Sequence, residues 1–128
     1  MKTMNLIKTF LIIAVVCFAN MNINARSTEN HLIYNAEEVN GVKVSETVYK
    51  MNGSTLTQFM KYNYKYDANQ QMTENLSQKW NATDNCWVNN LKICYTYDNK
   101  GVTTEYYKWN SKKDAFILVP EMTVTMDK

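Results

Sequence analysis

The chain has little of what specialises a backbone or a catalytic site: one proline, three glycines and one histidine among 128 residues. So few Gly and Pro exclude a flexible linker or a low-complexity architecture. One His and three Cys, with no short paired spacing between them, match no zinc pattern. The single His31 lies in the first predicted strand and offers Cys94 no partner for nucleophilic chemistry. No stretch carries a sustained helical period. Only one long apolar run exists, Phe10–Ala19, and it is shorter than the roughly 20 residues that a transmembrane helix needs.

That run follows Lys2 and Lys8 and precedes small residues, with cleavage best placed after Ala25 and next best after Ala19. This is the order of a secretory leader. Val16 stands before Cys17, where lipid attachment wants a small residue. The reading is therefore a signal peptide over 1–25 and one domain over 26–128, with no membrane span after cleavage. Export places the domain in the periplasm, at the cell surface or outside the cell. Of the 14 basic and 12 acidic residues, Lys2 and Lys8 leave with the leader, so the mature part is formally neutral. Neutral balance disfavours nucleic acid and polybasic membrane binding as partners.

What is abundant is aromatic: nine Tyr, three Trp and, outside the leader, two Phe. Much of it falls in a repeat. Trp87–Asp98 (WVNNLKICYTYD) recurs 31 residues earlier as Leu56–Asp67 (LTQFMKYNYKYD) and 29 residues later as Phe116–Asp127 (FILVPEMTVTMD). Alternate positions in each copy give an apolar series: Leu56, Met60, Tyr62, Tyr64, Tyr66; Trp87, Leu91, Ile93, Tyr95, Tyr97; and Phe116, Leu118, Met122, Val124, Met126. A period of two marks half-buried strands, and a fixed spacing marks one supersecondary unit used three times.

Between the copies, His31–Tyr34, Gly41–Lys50, Gln71–Trp80 and Val102–Trp109 read as further strands. Asn35–Asn40, Met51–Ser54, Asp67–Gln70, Asn81–Cys86, Asp98–Gly101 and Asn110–Ala115 read as turns. Such short loops demand antiparallel neighbours. The fold expected is all-β: an antiparallel meander of about seven strands from three repeats of about 30 residues, curled or sandwich-like so that its tyrosines are covered.

Candidate chemistry is sparse. If Cys86 and Cys94 bracket one extended strand, about 26 Å separates them, against the roughly 7 Å limit for a disulfide; both are expected free. Asp67, Asp98 and Asp127 recur at strand ends, where turn formation outweighs a calcium site at Asp98–Asn99. Glu74 and Glu105 recur too, with Lys61 or Lys92 as expected basic partners, and catalysis by a carboxylate pair would need a cleft between them. No catalytic, cofactor or metal residue is assigned. Trp80, Trp87, Trp109, Tyr64, Tyr95 and Tyr107 form the candidate ligand or partner surface, since Trp and Tyr suit both sugar rings and protein interfaces. Core packing across strands is the competing use of the same rings.

Leu32–Lys50, then Lys61–Asp67, then the Trp-Asn pairs at Trp80–Asn81 and Trp109–Asn110 resemble a family of small exported Bacteroidetes proteins, domain of unknown function 3836. The likeness spans nearly the whole mature chain and is most specific at Tyr64–Asp67, Tyr95–Asp98 and Val102–Trp109. A looser similarity links the chain to the Tyr-Asp repeats of large surface proteins, although Gln70 replaces the turn glycine in one copy. The resemblance implies export by a Gram-negative bacterium and no activity. The functional expectation is a non-enzymatic interaction module of the bacterial envelope or surface, with an unknown protein or glycan as partner and no cofactor. The alternatives are a carbohydrate-binding domain using exposed Trp and Tyr, an unidentified hydrolase, and a purely structural envelope protein.

Overall fold

Segments of two to five residues join every successive pair of strands, and up to the seventh strand each turns back beside the one before it. A computed structural model describes residues 31–128; the predicted leader and the start of the mature chain lie outside the described residues. Eight strands form one antiparallel sheet: β1 (His31–Val39), β2 (Val42–Asn52), β3 (Thr55–Tyr66), β4 (Met72–Asn81), β5 (Cys86–Tyr97), β6 (Gly101–Asn110), β7 (Ala115–Leu118) and β8 (Val124–Asp127). Neighbours in sequence are neighbours in space from β1 to β7, and β8 also pairs with β6. The expected antiparallel meander is present, but as one open layer rather than the sandwich-like arrangement expected, since no second sheet packs on it among the described residues.

Local chemistry explains the turns. Asn40 (φ 52°) and Gly41 (φ 76°) are both left-handed, the pairing a two-residue hairpin needs to match strand twist. Asp98 carboxylate Oδ1 accepts from the backbone N–H of Lys100 (2.7 Å) and Gly101 (3.0 Å). Asp67 Oδ1 does the same for Asn69 and Gln71. The recurring aspartates are therefore turn formers at two of their three positions, while Asp127 sits in β8. Gln70 adopts the left-handed conformation (φ 60°) that glycine takes without steric cost.

Three boundaries differ from expectation. β1 runs on through the predicted exit turn to Val39, because Asn35–Val39 finds partners along β2. The hairpin after β2 needs only Gly53–Ser54. The third repeat copy is not one strand: Pro120 lacks an N–H for the ladder, and Pro120–Met122 forms a single 3₁₀ turn that splits the copy into β7 and β8.

Register carries the larger surprise. Along β3, Met60 faces Val48 but Gln58 faces Tyr49, leaving Phe59 as an extra, bulged residue. Along β5, Leu91 faces Ser77 but Asn89 faces Gln78, leaving Asn90 extra. On the last edge, Leu118 faces Tyr107 and Val124 faces Thr104, so the insertion starts at Val119, whose N–H still bonds the Tyr106 carbonyl at 2.8 Å. These breaks stand 31 and 29 residues apart. One extra residue reverses which side of the sheet every following side chain occupies. Each apolar series is therefore divided: Leu56, Trp87, Phe116 and Leu118 lie on one face, and Met60–Tyr66, Leu91–Tyr97, Val124 and Met126 on the other.

A single layer leaves little to bury. Val48 (3% exposed) and Met60 (9%), cross-strand partners on the tyrosine-bearing face, are the only buried hydrophobic side chains described. Ser45, Ser77 and Thr104 are buried because they are small residues beneath larger neighbours, and each finds a partner. Ser45 donates to Glu37 (2.7 Å), Ser77 to the Leu91 carbonyl (3.3 Å) and Thr104 to the Val124 carbonyl (3.2 Å). Gly101 is buried at the β6–β8 contact, and a Cβ there would run into the Met126 carbonyl. Gly101→Ala is expected to detach β8 and destabilise the domain by about 1–3 kcal/mol; urea unfolding measures the loss, and hydrogen exchange should show it begin at Val124–Asp127.

Candidate functional site

The face that carries the tryptophans is built at the hairpin tips. Trp80 on β4 lies opposite Trp87 on β5, and their rings meet edge-on with centroids 5.1 Å apart. Trp109 on β6 lies opposite Phe116 on β7 in the same geometry at 4.9 Å. Met51 and Leu56 hold the corresponding place in the β2–β3 hairpin. Tyr49 stands seven residues before Leu56 as each Trp precedes its partner, yet it pairs with Gln58. The two-residue turn of this hairpin, against four residues in the others, accounts for the offset. All four rings of the two aromatic pairs are half-buried.

Beside the Trp80–Trp87 pair runs an amide ladder: Asn63 Nδ2 donates to Gln78 Oε1 (3.3 Å), and Gln78 Nε2 donates to Asn89 Oδ1 (3.0 Å). Lys92 extends across the same face, its ammonium 5.0 Å from the Tyr107 ring centroid and 4.9 Å from that of Phe116. Cation–π attraction holds it there. Four of the six candidate residues, Trp80, Trp87, Trp109 and Tyr107, thus share this face.

Tyr64 and Tyr95 do not. They lie on the opposite face, Tyr64 across from Asn75 and Tyr95 across from Thr104. Burial raises the pKa of both phenols, assisted by Glu46 beside Tyr64 and by Tyr106 and Tyr97 beside Tyr95. Two further tyrosines there act as clamps: Tyr66 donates to the Lys43 carbonyl and Tyr97 to the Met72 carbonyl, each at 2.7 Å. They tie the start of the preceding strand to the end of their own. Lys43 and Glu46 form an ion pair on this face at 2.9 Å, and that hydrogen bond is the main cause of Lys43's raised pKa.

The remaining sequence candidates meet in one row of the tryptophan face. Cys94 lies opposite Glu74 on one side and Glu105 on the other. Glu74 pairs with Lys65 (3.1 Å), and Glu105 accepts from the Tyr107 hydroxyl (3.0 Å), which raises the Tyr107 pKa. Neither Lys61 nor Lys92 is the basic partner expected, because Lys65 reaches Glu74 directly across the strand and Lys92 lies over aromatic rings. Among the described residues no three His, Cys, Asp or Glu side chains gather to hold a metal ion. Cys86 and Cys94 are free thiols on one strand.

The fold and its two unlike faces define a small all-β protein made as one open antiparallel meander. The chain belongs to a family of unknown function, DUF3836, whose model matches residues 1–127. A DUF3836 protein from Bacteroides vulgatus ATCC 8482 is 72% identical, with a TM-score of 0.72 over 75% of this chain and 98% of that one. One from Parabacteroides distasonis ATCC 8503 is 27% identical (TM-score 0.65; 77% and 89% covered). A protein of unknown function from Bacteroides fragilis NCTC 9343 is 28% identical (TM-score 0.64; 70% and 66% covered). No curated protein matches the chain.

The thiols give a direct check of this face. Cys86 is exposed, whereas Cys94 is half-buried and its pKa is raised by desolvation first, against the lowering effect of Lys92. Only the thiolate is nucleophilic. Iodoacetamide at pH 8 is expected to label Cys86 well before Cys94 in the folded protein, and both at similar rates in urea, as read by peptide mass spectrometry.

Proposed function

We propose that this protein is an exported, non-enzymatic interaction module of the bacterial envelope or surface. The observation that carries the reading is the single-layer sheet whose tryptophan face presents paired aromatic rings, half-exposed, at the hairpin tips. Rigid aromatic area of this kind suits a partner interface, because large rings bury much surface at small entropic cost. Export rests on the leader-like residues 1–25, and a threefold repeat explains why ring pairs return at the same place in successive hairpins. In the row Glu74–Cys94–Glu105, each carboxylate already has a partner on an open face, which favours a binding role over hydrolysis.

One observation favours carbohydrate as the second reading. The Asn63–Gln78–Asn89 ladder lies beside Trp80 and Trp87, combining amide hydrogen bonding with a stacking surface. The two readings separate in one design. Wild-type protein bearing a photo-crosslinker at Val88 is expected to capture a defined envelope protein, and Trp87→Ala with Trp109→Ala should abolish capture while leaving the far-ultraviolet β signal unchanged. Saturable tryptophan fluorescence shifts on titration with neutral glycans, lost in the same variant, would instead establish the carbohydrate reading.

A further inference from the structure

Each of the three hairpins whose second strand carries a repeat copy is entered by the same tripeptide pattern: Lys50-Met51-Asn52, Lys79-Trp80-Asn81 and Lys108-Trp109-Asn110. The middle residue supplies the tryptophan face. In two of the three, the Asn side chain accepts from the turn backbone, Asn81 from Thr83 and Asp84, and Asn110 from Lys112 and Lys113. The lysines belong to the opposite face, on alternate strands β2, β4 and β6. Their cross-strand partners are all uncharged: Leu32 and Thr57 for Lys50, Met60 and Val88 for Lys79, Leu91 and Ile117 for Lys108. The ion pairs of the described residues are Lys43–Glu46 and Lys65–Glu74, so none of the three lysines belongs to one. Lys79 and Lys108 are exposed, and the Lys50 ammonium lies 3.9 Å over the Phe59 ring.

Register gives the spacing. Successive lysines are two strands apart and, counting across each bulge, about two residues apart along the strand, placing their Cα atoms roughly 12 Å from one another on a diagonal. Three cations that far apart cannot converge on one small anion. They fit an extended polymer that carries a negative group at intervals and an uncharged, partly apolar surface between, to lie on Phe59, Val88 and Leu91. Nucleic acid fits poorly because its phosphates are much more closely spaced.

We propose that the lysine diagonal binds a linear acidic polysaccharide with charged groups separated by neutral sugars. The site lies on the face opposite the tryptophans and is independent of the function proposed for them.

Hyaluronan oligosaccharides, with one carboxylate per disaccharide, are the probe. Calorimetric titration of the protein, expressed with its own leader and purified, should show binding that weakens as salt rises. Lys50→Gln, Lys79→Gln and Lys108→Gln combined should weaken it by about tenfold or more, with unchanged thermal unfolding. Lys112→Gln with Lys113→Gln in the adjoining loop, and Trp87→Ala with Trp109→Ala on the other face, should each leave affinity within about twofold. Absence of hyaluronan binding to the wild type, equal affinity in the triple lysine variant, or tighter binding of oligothymidylate than of hyaluronan would overturn the assignment.

Discussion

With no second layer to pack against among the described residues, the sheet depends on its antiparallel ladder and on the side chains that face one another across it. Among the described residues, Val48 against Met60 is the one cross-strand pair whose two members are both buried hydrophobic residues. Elsewhere, side chains cover one another only partly, as in the edge-on Trp80–Trp87 and Trp109–Phe116 pairs. Each such pair adds a fraction of a kcal/mol to about 1 kcal/mol, so stability is spread along the meander. Tyr66 and Tyr97 strengthen this arrangement by bonding strand-end carbonyls that the ladder alone would leave to water.

The bulges at Phe59 and Asn90 give the sheet its two characters. Without them, the tryptophans and the tyrosine stripes would share one face, as the alternation suggests. With them, Trp87 turns to the side of Cys94 and Lys92 while Tyr95 and Tyr97 turn to the side of Val48 and Met60. The insertion beginning at Val119 has the same effect at the last edge and adds a second consequence. Pro120 and its 3₁₀ turn interrupt a strand edge that would otherwise be open to pairing with another chain.

Function follows from this division. One face combines aromatic pairs with an amide ladder; the other combines tyrosines with spaced lysines at the same hairpin tips. The DUF3836 relatives share the fold and bring no recorded activity to it, so the chemistry of the faces is what distinguishes the roles open to the protein. Carboxylates and a thiol do share a row, but each carboxylate is already held, Glu74 by Lys65 and Glu105 by Tyr107.

Alternation of apolar residues, short loops and Asp-, Asn- or Gly-bearing turns were enough to read an antiparallel meander from the sequence, because those signals are local and act within a few residues. The extended stretch from Cys86 to Tyr97, which keeps the two cysteines apart, was legible for the same reason. The tryptophans and Tyr107 were visible as candidates by residue type alone. Their separation from Tyr64 and Tyr95 was not, since Phe59 and Asn90 look like ordinary members of a strand. Nor was the true alignment of Lys50, Lys79 and Lys108 apparent, because a shorter turn displaces the β2–β3 hairpin by two positions. Local sequence determined that these residues form strands and where most of those strands turn. Only pairing between strands decided which side chains share a face, because a bulge is defined by the partner that lacks the extra residue.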